Sequence, residues 1–356
     1  MLETSLEVLG DANAVALVGL VGGLLLGLAA RIGRFCTLGA IEDMLYANDS
    51  RRLRMWGIAI GLAILSLNIA TATGHFDPAR TVYLSRDWVP MASIVGGLLF
   101  GYGMALAGNC GYGALARLGG GDLRGFVIVL VMGLSAYVVL SGPLAFARVW
   151  LFPVEDGRAT AQGFADGLSG ATGVAPWAVG SAVGALILLF SIAHGPTLRS
   201  PRTLTWGTAV GLAVASGWIG TFWVAETGFD GERITTHTFA QPLGDTIYWF
   251  MTASGNTLSF SVGSVAGVLA GAFIGSLFKG HFRWEACEDP RELKRQMLGA
   301  ALMGPGAILA MGCSVGQGIS AFSVLAYSAP VTFAAIFAGA ALGLKQLITG
   351  FHLARP

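Results

Sequence analysis

Charged residues are scarce in this sequence. Only 12% of its 356 residues are Asp, Glu, Lys or Arg, whereas 54% are hydrophobic. In a soluble domain about a quarter of the residues are charged, and the mean hydropathy of +0.69 is too high for such a domain. We therefore expect an all-α integral membrane protein embedded in a lipid bilayer. The formal net charge of +1 gives no reason to expect a nucleic-acid partner.

Several functional signatures are also missing. Residues 1–13 contain Glu3, Glu7 and Asp11 but no Lys or Arg, so the basic region of a secretory signal is absent and we expect a short acidic tail. No Gly-x-x-x-x-Gly-Lys-Ser/Thr sequence occurs, which argues against ATP hydrolysis.

Cysteines are few, and histidines are scattered. Four cysteines are too few for a disulfide framework in a chain of this length. No Cys-x-x-Cys pair or Cys/His cluster occurs, so we predict no metal site, and nothing in the sequence implies a cofactor.

Long apolar runs are what the sequence does contain. A membrane-spanning helix needs about 20 mainly apolar residues. This criterion predicts nine spans, at 14–33, 55–74, 90–109, 125–147, 176–195, 204–225, 257–278, 295–312 and 330–349. Shorter stretches with helix-compatible composition lie between them, at 37–48, 111–118, 243–254 and 316–327. They are too short to span, so we predict four re-entrant or half helices.

Basic residues are distributed unevenly over the predicted loops. With the N-terminus outside, only five of the 21 Lys and Arg residues fall on the outer side, at 80, 86, 148, 158 and 233. The other sixteen fall inside, as the positive-inside rule requires. We therefore predict an outer N-terminus and a cytoplasmic C-terminus.

One segment occurs twice. Gly101–Gly113 ends in Gly-Asn-Cys-Gly-Tyr-Gly, and Gly304–Gly316 ends in Met-Gly-Cys-Ser-Val-Gly, with Cys110 and Cys313 in register. In the predicted topology the two copies run in opposite directions, which is typical of the inverted repeats of transporters. We predict one membrane domain with repeats at 14–147 and 204–349, joined by a connecting span at 176–195.

The glycine-rich ends of these copies predict breaks inside the membrane. Irregular backbone at that depth is tolerated only where it is buried in protein or lines a watery cavity. A short helix after each break presents N–H groups and a positive dipole end, which suit an anion. We expect Gly111 and Gly316 to form part of these breaks, and Asn109 and Gln317 to line the cavity.

A third cysteine follows the first predicted span. Cys36 precedes Thr37, which is a good N-cap for the next short helix, and it has no cysteine counterpart in the second half. Arg31, one turn deeper than Arg34, is placed to attract an anion at the inner mouth. Cys287 lies in a charged segment, 279–294, and its role is left open.

The cysteines allow several interpretations. Each of them could simply pack as a small apolar side chain. They could also form a thiol–disulfide relay, which needs a low-pKa thiolate and a resolving cysteine. Finally, neutral S–H groups could bind a soft anion weakly enough to release it.

Three motifs in order resemble the YeeE/YedE family of sulfur-compound transporters. They are Phe-Cys36-Thr-Leu-Gly-Ala with the following Glu-Asp, Ala-Gly-Asn-Cys110-Gly-x-Gly, and Gly-Cys313-Ser-x-Gly-Gln-Gly. The resemblance implies a bacterial inner-membrane importer of thiosulfate with an hourglass shape. It also implies that Cys36, Cys110 and Cys313 pass the ion along by S–H···S hydrogen bonds. Asn109 stands where the family pattern leads us to expect glycine.

The resemblance also suggests a partner. Some family members are linked to a small soluble sulfur carrier of the TusA type, for which the hairpin 279–294 with Cys287 would be the docking surface.

We therefore expect a transporter, not an enzyme, whose substrate pathway includes Cys36, Cys110, Cys313, Asn109, Gln317, Arg31, Gly111 and Gly316. The alternative is a membrane-embedded sulfur-transfer or thiol redox enzyme that forms a cysteine persulfide. A third hypothesis is a structural subunit whose cysteines only pack.

Overall fold

The computed structural model describes residues 10–153, 162–229, 231–287 and 289–350, and it is 76% helix without a strand in those ranges. Most of the predicted acidic tail lies outside the described residues. The helices are α1 Asp11–Leu28, α2 Thr37–Tyr46, α3 Arg51–Ala72, α4 Pro90–Ala107, α5 Gly111–Gly119, α6 Leu123–Leu140, α7 Ala145–Leu151, α8 Phe164–Thr172, α9 Pro176–Ile192, α10 Gly195–Leu198, α11 Pro201–Thr227, α12 Gln241–Thr252, α13 Phe260–Phe278, α14 Pro290–Leu309 and α15 Ser328–Thr349. Two π-helical turns, Ala29–Gly33 and Gly316–Ala321, follow α1 and precede α15.

The expected all-helical membrane fold is confirmed, but the count of nine spans is not. Within the described ranges, seven helical stretches are long and apolar enough to cross a membrane: Asp11–Tyr46, Arg51–Ala72, Pro90–Gly119, Leu123–Leu140, Pro201–Thr227, Phe260–Phe278 and Ser328–Thr349. The bent pair α8 and α9 makes an eighth if it is counted as one span. Most of the predicted span 295–312 lies in α14, which ends at Leu309. The first turns of α14 carry Arg291, Glu292, Lys294 and Arg295, which lower its mean hydropathy.

Short helices do occur at the four predicted places. Three of them are α2, α5 and α12, and the fourth is the helical stretch 314–323, which contains the second π-helical turn. Each follows a break in the chain. Their position in a membrane is part of the proposal below.

Glycine stripes bring the long helices into direct backbone contact. On α13, a Cβ at Gly263, Gly267 or Gly271 would lie 1.9, 2.3 or 2.1 Å from carbonyl oxygens of α1. On α1, a Cβ at Gly23 or Gly27 would approach carbonyl oxygens of α13 within 2.4 or 2.3 Å. Such small-xxx-small stripes drive helix association where lipid removes the hydrophobic driving force.

An extended segment runs through the interior between α11 and α12. With Arg233 assigned to the outer side, the sequence predicts an outer loop between the span 204–225 and the short helix 243–254. In the structure, however, Thr236, His237 and Phe239 of this stretch are at most 4% exposed. Side chains from neighbouring helices bind its backbone, since Ser320 Oγ donates to the His237 carbonyl at 2.7 Å. The Thr236 hydroxyl in turn donates to the Val214 carbonyl at 2.7 Å. Buried non-helical backbone needs such partners.

Gly263→Ala tests the α1–α13 contact. The added methyl group would meet the Ala16 carbonyl, so the two helices must separate, at a cost of about 1–3 kcal/mol. Thermal unfolding of the purified protein in detergent should show a lower midpoint. Gly170→Ala is the matched control, because Gly170 is an exposed helical residue with no atom within 4 Å of its added Cβ. Equal midpoints for the two variants would contradict the close contact.

Candidate functional site

Each of three cysteines lies at the start of a short helix. Cys36 is the N-cap of α2, and its Sγ accepts a hydrogen bond from the Gly39 N–H at 3.5 Å. Cys110 is the N-cap of α5, and Cys313 directly precedes the helical stretch 314–323. The N-terminal N–H groups and the positive dipole ends of these helices therefore lie beside the three thiols.

A left-handed residue precedes each thiol. Gly108 ends α4 with φ 75°, and Met311, at the equivalent place after α14, has φ 55°. Arg34, two residues before Cys36, is also left-handed, with φ 58°. A left-handed conformation is unfavourable for a non-glycine side chain. The surrounding packing must therefore enforce the turns at Met311 and Arg34.

The thiols lie close together around Cys110. Cys110 is within electrostatic range of the Cys36 and Cys313 thiols and lies beside the Ser314 side chain. Cys110 and Cys313 are both 1% exposed, whereas Cys36 is only partly buried. All four cysteines are reduced. The structure thus brings the three predicted cysteines into one region, since both of the other thiols act electrostatically on Cys110.

The extended segment between α11 and α12 holds Cys313. The Phe239 N–H donates to Cys313 Sγ at 3.2 Å, and the Gly316 N–H does so at 3.5 Å. Thr238 Oγ1 lies 3.5 Å from the same sulfur. Cys313 therefore sits among several donors, which suit an electron-rich group.

A buried polar side chain without a partner stands next to each thiol. Thr37 follows Cys36, Asn109 precedes Cys110, and Ser314 follows Cys313. They are 1%, 3% and 0% exposed, and within the described residues none of their side-chain oxygen or nitrogen atoms forms a hydrogen bond. An unpaired buried polar group costs about 1–3 kcal/mol. A polar ligand beside the thiols would remove this cost at all three places. Unpaired buried atoms also occur in other side chains, those of Trp56, His237, Trp249, Gln296 and Thr332.

A cavity of about 160 Å³, which we call the Arg86/Arg148 cavity, borders Gly312 and Thr238, which are neighbours of Cys313. Its wall includes both arginines, together with Thr238, Met311 and Gly312. The guanidinium of Arg148 also donates to the Val139 carbonyl at 3.2 Å. Positive charge and hydroxyl groups thus surround one approach to the thiols.

A second cavity of about 210 Å³, which we call the Arg52 cavity, lies at the N-terminal ends of α3 and α11. Four arginines and two aspartates face it: Arg34, Arg51, Arg52, Arg202, Asp43 and Asp49. Arg52 reaches over the first turn of α2. A Cβ on Gly39 would lie 2.3 Å from Arg52 Nη1 and 3.7 Å from the Cys36 Cβ. This cavity therefore adjoins the Cys36 end of the thiol cluster.

Gln317 and Arg31, two other predicted site residues, form hydrogen bonds that connect parts of the fold. Gln317 Nε2 donates to the Ala310 carbonyl at 2.7 Å and to the Met311 carbonyl at 3.3 Å, which satisfies the end of α14. Arg31 Nε donates to Ser276 Oγ at 2.7 Å, between α1 and α13. The roles of both residues in the pathway stay predictions.

The two predicted glycines allow close crossings. A Cβ at Gly111 would lie 2.5 Å from the Phe239 carbonyl oxygen. A Cβ at Gly316 would lie 2.6 Å from Thr238 Oγ1. Each glycine therefore lets its break contact the buried extended segment.

Sequence reasoning missed Thr238, Arg52, Arg86 and Arg148. In the sequence, the three arginines contribute only to the predicted topology. Thr238 lies in a segment that the sequence predicts as an outer loop. The sequence does contain one signal for Thr238, the run Thr235-Thr236-His237-Thr238 before a short helix. This run stands just before the position in the second half that corresponds to Cys36.

The arrangement suits a soft anion better than a metal cation. The three thiols share their surroundings with N–H and hydroxyl donors, and arginines line both approaches. No group of three metal-ligating side chains occurs in the part of the chain that the structure describes.

Comparison with known proteins identifies the family. The pattern described as sulphur transport matches residues 32–342. The thiosulfate transporter TsuA of Spirochaeta thermophila is 26% identical over 323 residues, which cover 87% of this chain and 92% of the relative. TsuA of Escherichia coli is 24% identical over 326 residues, which cover 86% of this chain and 87% of the relative. Because the family pattern covers most of the chain and includes all three cysteines, the protein belongs to the sulphur transport (YeeE/YedE) family.

Proposed function

We propose that this protein imports thiosulfate, or a closely related inorganic sulfur anion, along a path formed by Cys313, Cys110 and Cys36. Its family is one of transport proteins, so the chain is a transporter rather than an enzyme. Two similar proteins are named thiosulfate transporters, which supports thiosulfate as the substrate. The observation that carries the proposal is the unpaired buried polar group beside each of the three thiols.

The chemistry of thiosulfate fits these groups. The ion has two negative charges, a soft terminal sulfur and three oxygens. Neutral S–H groups are weak donors that can contact the soft sulfur, while Asn109 and Ser314 can donate to oxygens. Weak, successive contacts allow the ion to leave each site, as conduction requires. The helix N-termini offset part of the negative charge without a full positive charge that would trap it.

The packing partners of the helices support an inverted repeat of residues 14–147 and 204–349. The first long helix of each half packs on the second of the other, α1 on α13 and α11 on α3. The third packs on the fourth in the same way, α4 on α15 and α14 on α6. Exchanging the two halves therefore leaves this list of partners unchanged, and α9 within 176–195 remains as the connection.

Matched glycine contacts support a pseudo-twofold axis between α4 and α14. In the register that aligns Cys110 with Cys313, Gly96 aligns with Gly299 and Gly103 with Gly306. A Cβ on Gly96 would lie 2.6 Å from the Gly306 carbonyl oxygen, and one on Gly299 would lie 2.5 Å from that of Gly103. The two contacts are counterparts of each other. We count α14 and α9 as spans on this basis, which gives nine spans and four half helices in an hourglass-like arrangement.

The distribution of charge supports the proposed orientation. The Arg52 cavity lies on the side with most of the basic residues, which the positive-inside rule assigns to the cytoplasm. The Arg86/Arg148 cavity then faces outward and receives the anion first. This places the N-terminus outside and the C-terminus in the cytoplasm of a bacterial inner membrane.

The hairpin 279–294 is the proposed docking surface for a TusA-like carrier. It is fastened to the loop after α5, since the Leu123 N–H donates to the Glu285 carbonyl and the Glu285 N–H to the Gly121 carbonyl, both at 3.0 Å. Trp284 is 71% exposed beside this attachment, and Cys287 is partly exposed. An exposed aromatic side chain on a fixed loop is suited to contact with a soluble protein.

Replacing each pathway cysteine by serine tests the proposed function. A hydroxyl group is a poorer partner than a thiol for a soft sulfur. Uptake of labelled thiosulfate into proteoliposomes should therefore fall about tenfold or more for Cys36→Ser, Cys110→Ser and Cys313→Ser. Cys287→Ser, in the hairpin, is the control and should retain uptake.

Wild-type uptake by all three variants would contradict the role of the thiols. Mass spectrometry supplies the test against sulfur-transfer chemistry. A stable gain of one sulfur atom on Cys110 or Cys313 after incubation with thiosulfate would favour the enzyme.

Asn109→Ala and Gln317→Ala separate a ligand-binding from a structural role. Both truncations leave a buried cavity, but only Gln317 has hydrogen bonds to lose. Gln317→Ala should lower the free energy of unfolding by about 2 kcal/mol more than Asn109→Ala does. Asn109→Ala should lower thiosulfate uptake with a smaller loss of thermal stability. Equal destabilisation by the two variants, with uptake retained in Asn109→Ala, would show that Asn109 only packs.

A further inference from the structure

One ion pair stands between the thiol cluster and the Arg52 cavity. Arg52 Nε lies 3.0 Å from Asp43 Oδ2, and the two side chains are 32% and 29% exposed. Arg52 comes from the first turn of α3, whereas Asp43 comes from the second half of α2. The pair therefore bridges the two helices on the side of α2 that carries Gly39, one turn before Asp43.

The same guanidinium lies at the first turn of α2. Gly39 has no side chain to separate Arg52 Nη1 from the turn, and the Gly39 N–H donates to Cys36 Sγ. Thr37, in this turn, is 1% exposed, and its hydroxyl is bonded to no described residue. An anion at Cys36 would thus meet a thiol, an unpaired hydroxyl and a guanidinium at one place.

The charges around Arg52 leave it weakly held. Arg34 and Arg52 lie close enough to Arg202 to repel it. Asp49 is already bound by Arg51, with Nη2 and Oδ2 2.6 Å apart. Asp43 is therefore the carboxylate that holds Arg52, and a partly exposed ion pair of this kind is weak. A divalent anion can compete with a single carboxylate for such a guanidinium.

We propose that Arg52 is an anion-binding residue at the exit of the pathway, and that Asp43 is its built-in competitor. Thiosulfate leaving Cys36 replaces Asp43 on the guanidinium, and the return of Asp43 releases the ion into the Arg52 cavity. This inference rests on the proposed thiosulfate transport and adds a residue pair that controls release.

The exchange predicts opposite effects for the two partners. Arg52→Gln removes the anion's contact, so thiosulfate binding to the purified protein should weaken about tenfold. Asp43→Asn removes the competitor, so binding should tighten about threefold while the maximal rate of uptake falls, because release slows. If the pair only joined α2 to α3, either change would break the same contact and the two shifts would agree in sign.

The experiment measures thiosulfate binding by calorimetry and labelled uptake in proteoliposomes for five variants. Arg80→Gln and Glu226→Gln are the matched controls, since they break another partly exposed ion pair, whose two residues line neither cavity. Both should bind thiosulfate as the wild type does. Arg52→Lys, which keeps the charge but loses the planar fork, should bind with intermediate affinity and guards against a folding defect in Arg52→Gln.

Opposite shifts for Arg52→Gln and Asp43→Asn support the inference. Shifts of the same sign, or equal shifts in the Arg80 and Glu226 controls, overturn it. If Cys110→Ser and Cys313→Ser lose uptake while Arg52→Gln matches the wild type, the inference alone fails. If the cysteine variants also transport normally, the proposed function fails with it.

Discussion

A chain that breaks inside an apolar interior must satisfy the backbone groups that the break exposes, and this constraint organises the structure. Gln317 binds the carbonyl groups at the end of α14, and Tyr83 Oη donates to the Gly316 carbonyl at 3.2 Å. Tyr112 Oη, from the first turn of α5, donates to the Leu26 carbonyl of α1 at 2.6 Å and so ties the start of α5 to that helix. In contrast, the Thr37, Asn109 and Ser314 side chains beside the thiols have no hydrogen-bond partner among the described residues. The satisfied breaks hold the backbone around the thiols in shape, and the unpaired side chains are the groups that the proposed anion would bind.

The two halves share the doubled segment but differ around their cysteines. Cys110 and Cys313 occupy equivalent breaks, preceded by Gly108 and Met311 in the same left-handed conformation. The equivalence ends at Cys36, because Ala240 is the N-cap of α12 and the second half contributes Thr238 and Phe239 to Cys313 instead. The third thiol, that of Cys36, thus lies only on the side of the Arg52 cavity. The two ends of the proposed path therefore differ chemically.

Much of this was predictable from local sequence signals. The apolar runs and the glycine-rich breaks between them predict the positions of the four short helices. The register of the doubled segment predicts equivalent positions for Cys110 and Cys313. The burial of residues 234–240 was not predictable, because a Thr- and His-containing segment is typical of a loop until Val214, Cys313 and Ser320 supply its partners. The place of Arg52 was equally hidden. Its charge sets topology in the sequence, and only the packing of α2 on α3 puts it over Gly39.

A structure determined with thiosulfate bound tests the central claim most directly. The account predicts an ion in non-covalent contact with Cys110 or Cys313, with its terminal sulfur towards a thiol and its oxygens towards Asn109 or Ser314. The distance between the sulfurs should be well beyond the ~2.05 Å of a disulfide bond. Density continuous with a cysteine sulfur at bonding distance, or an ion bound away from all three thiols, would contradict it.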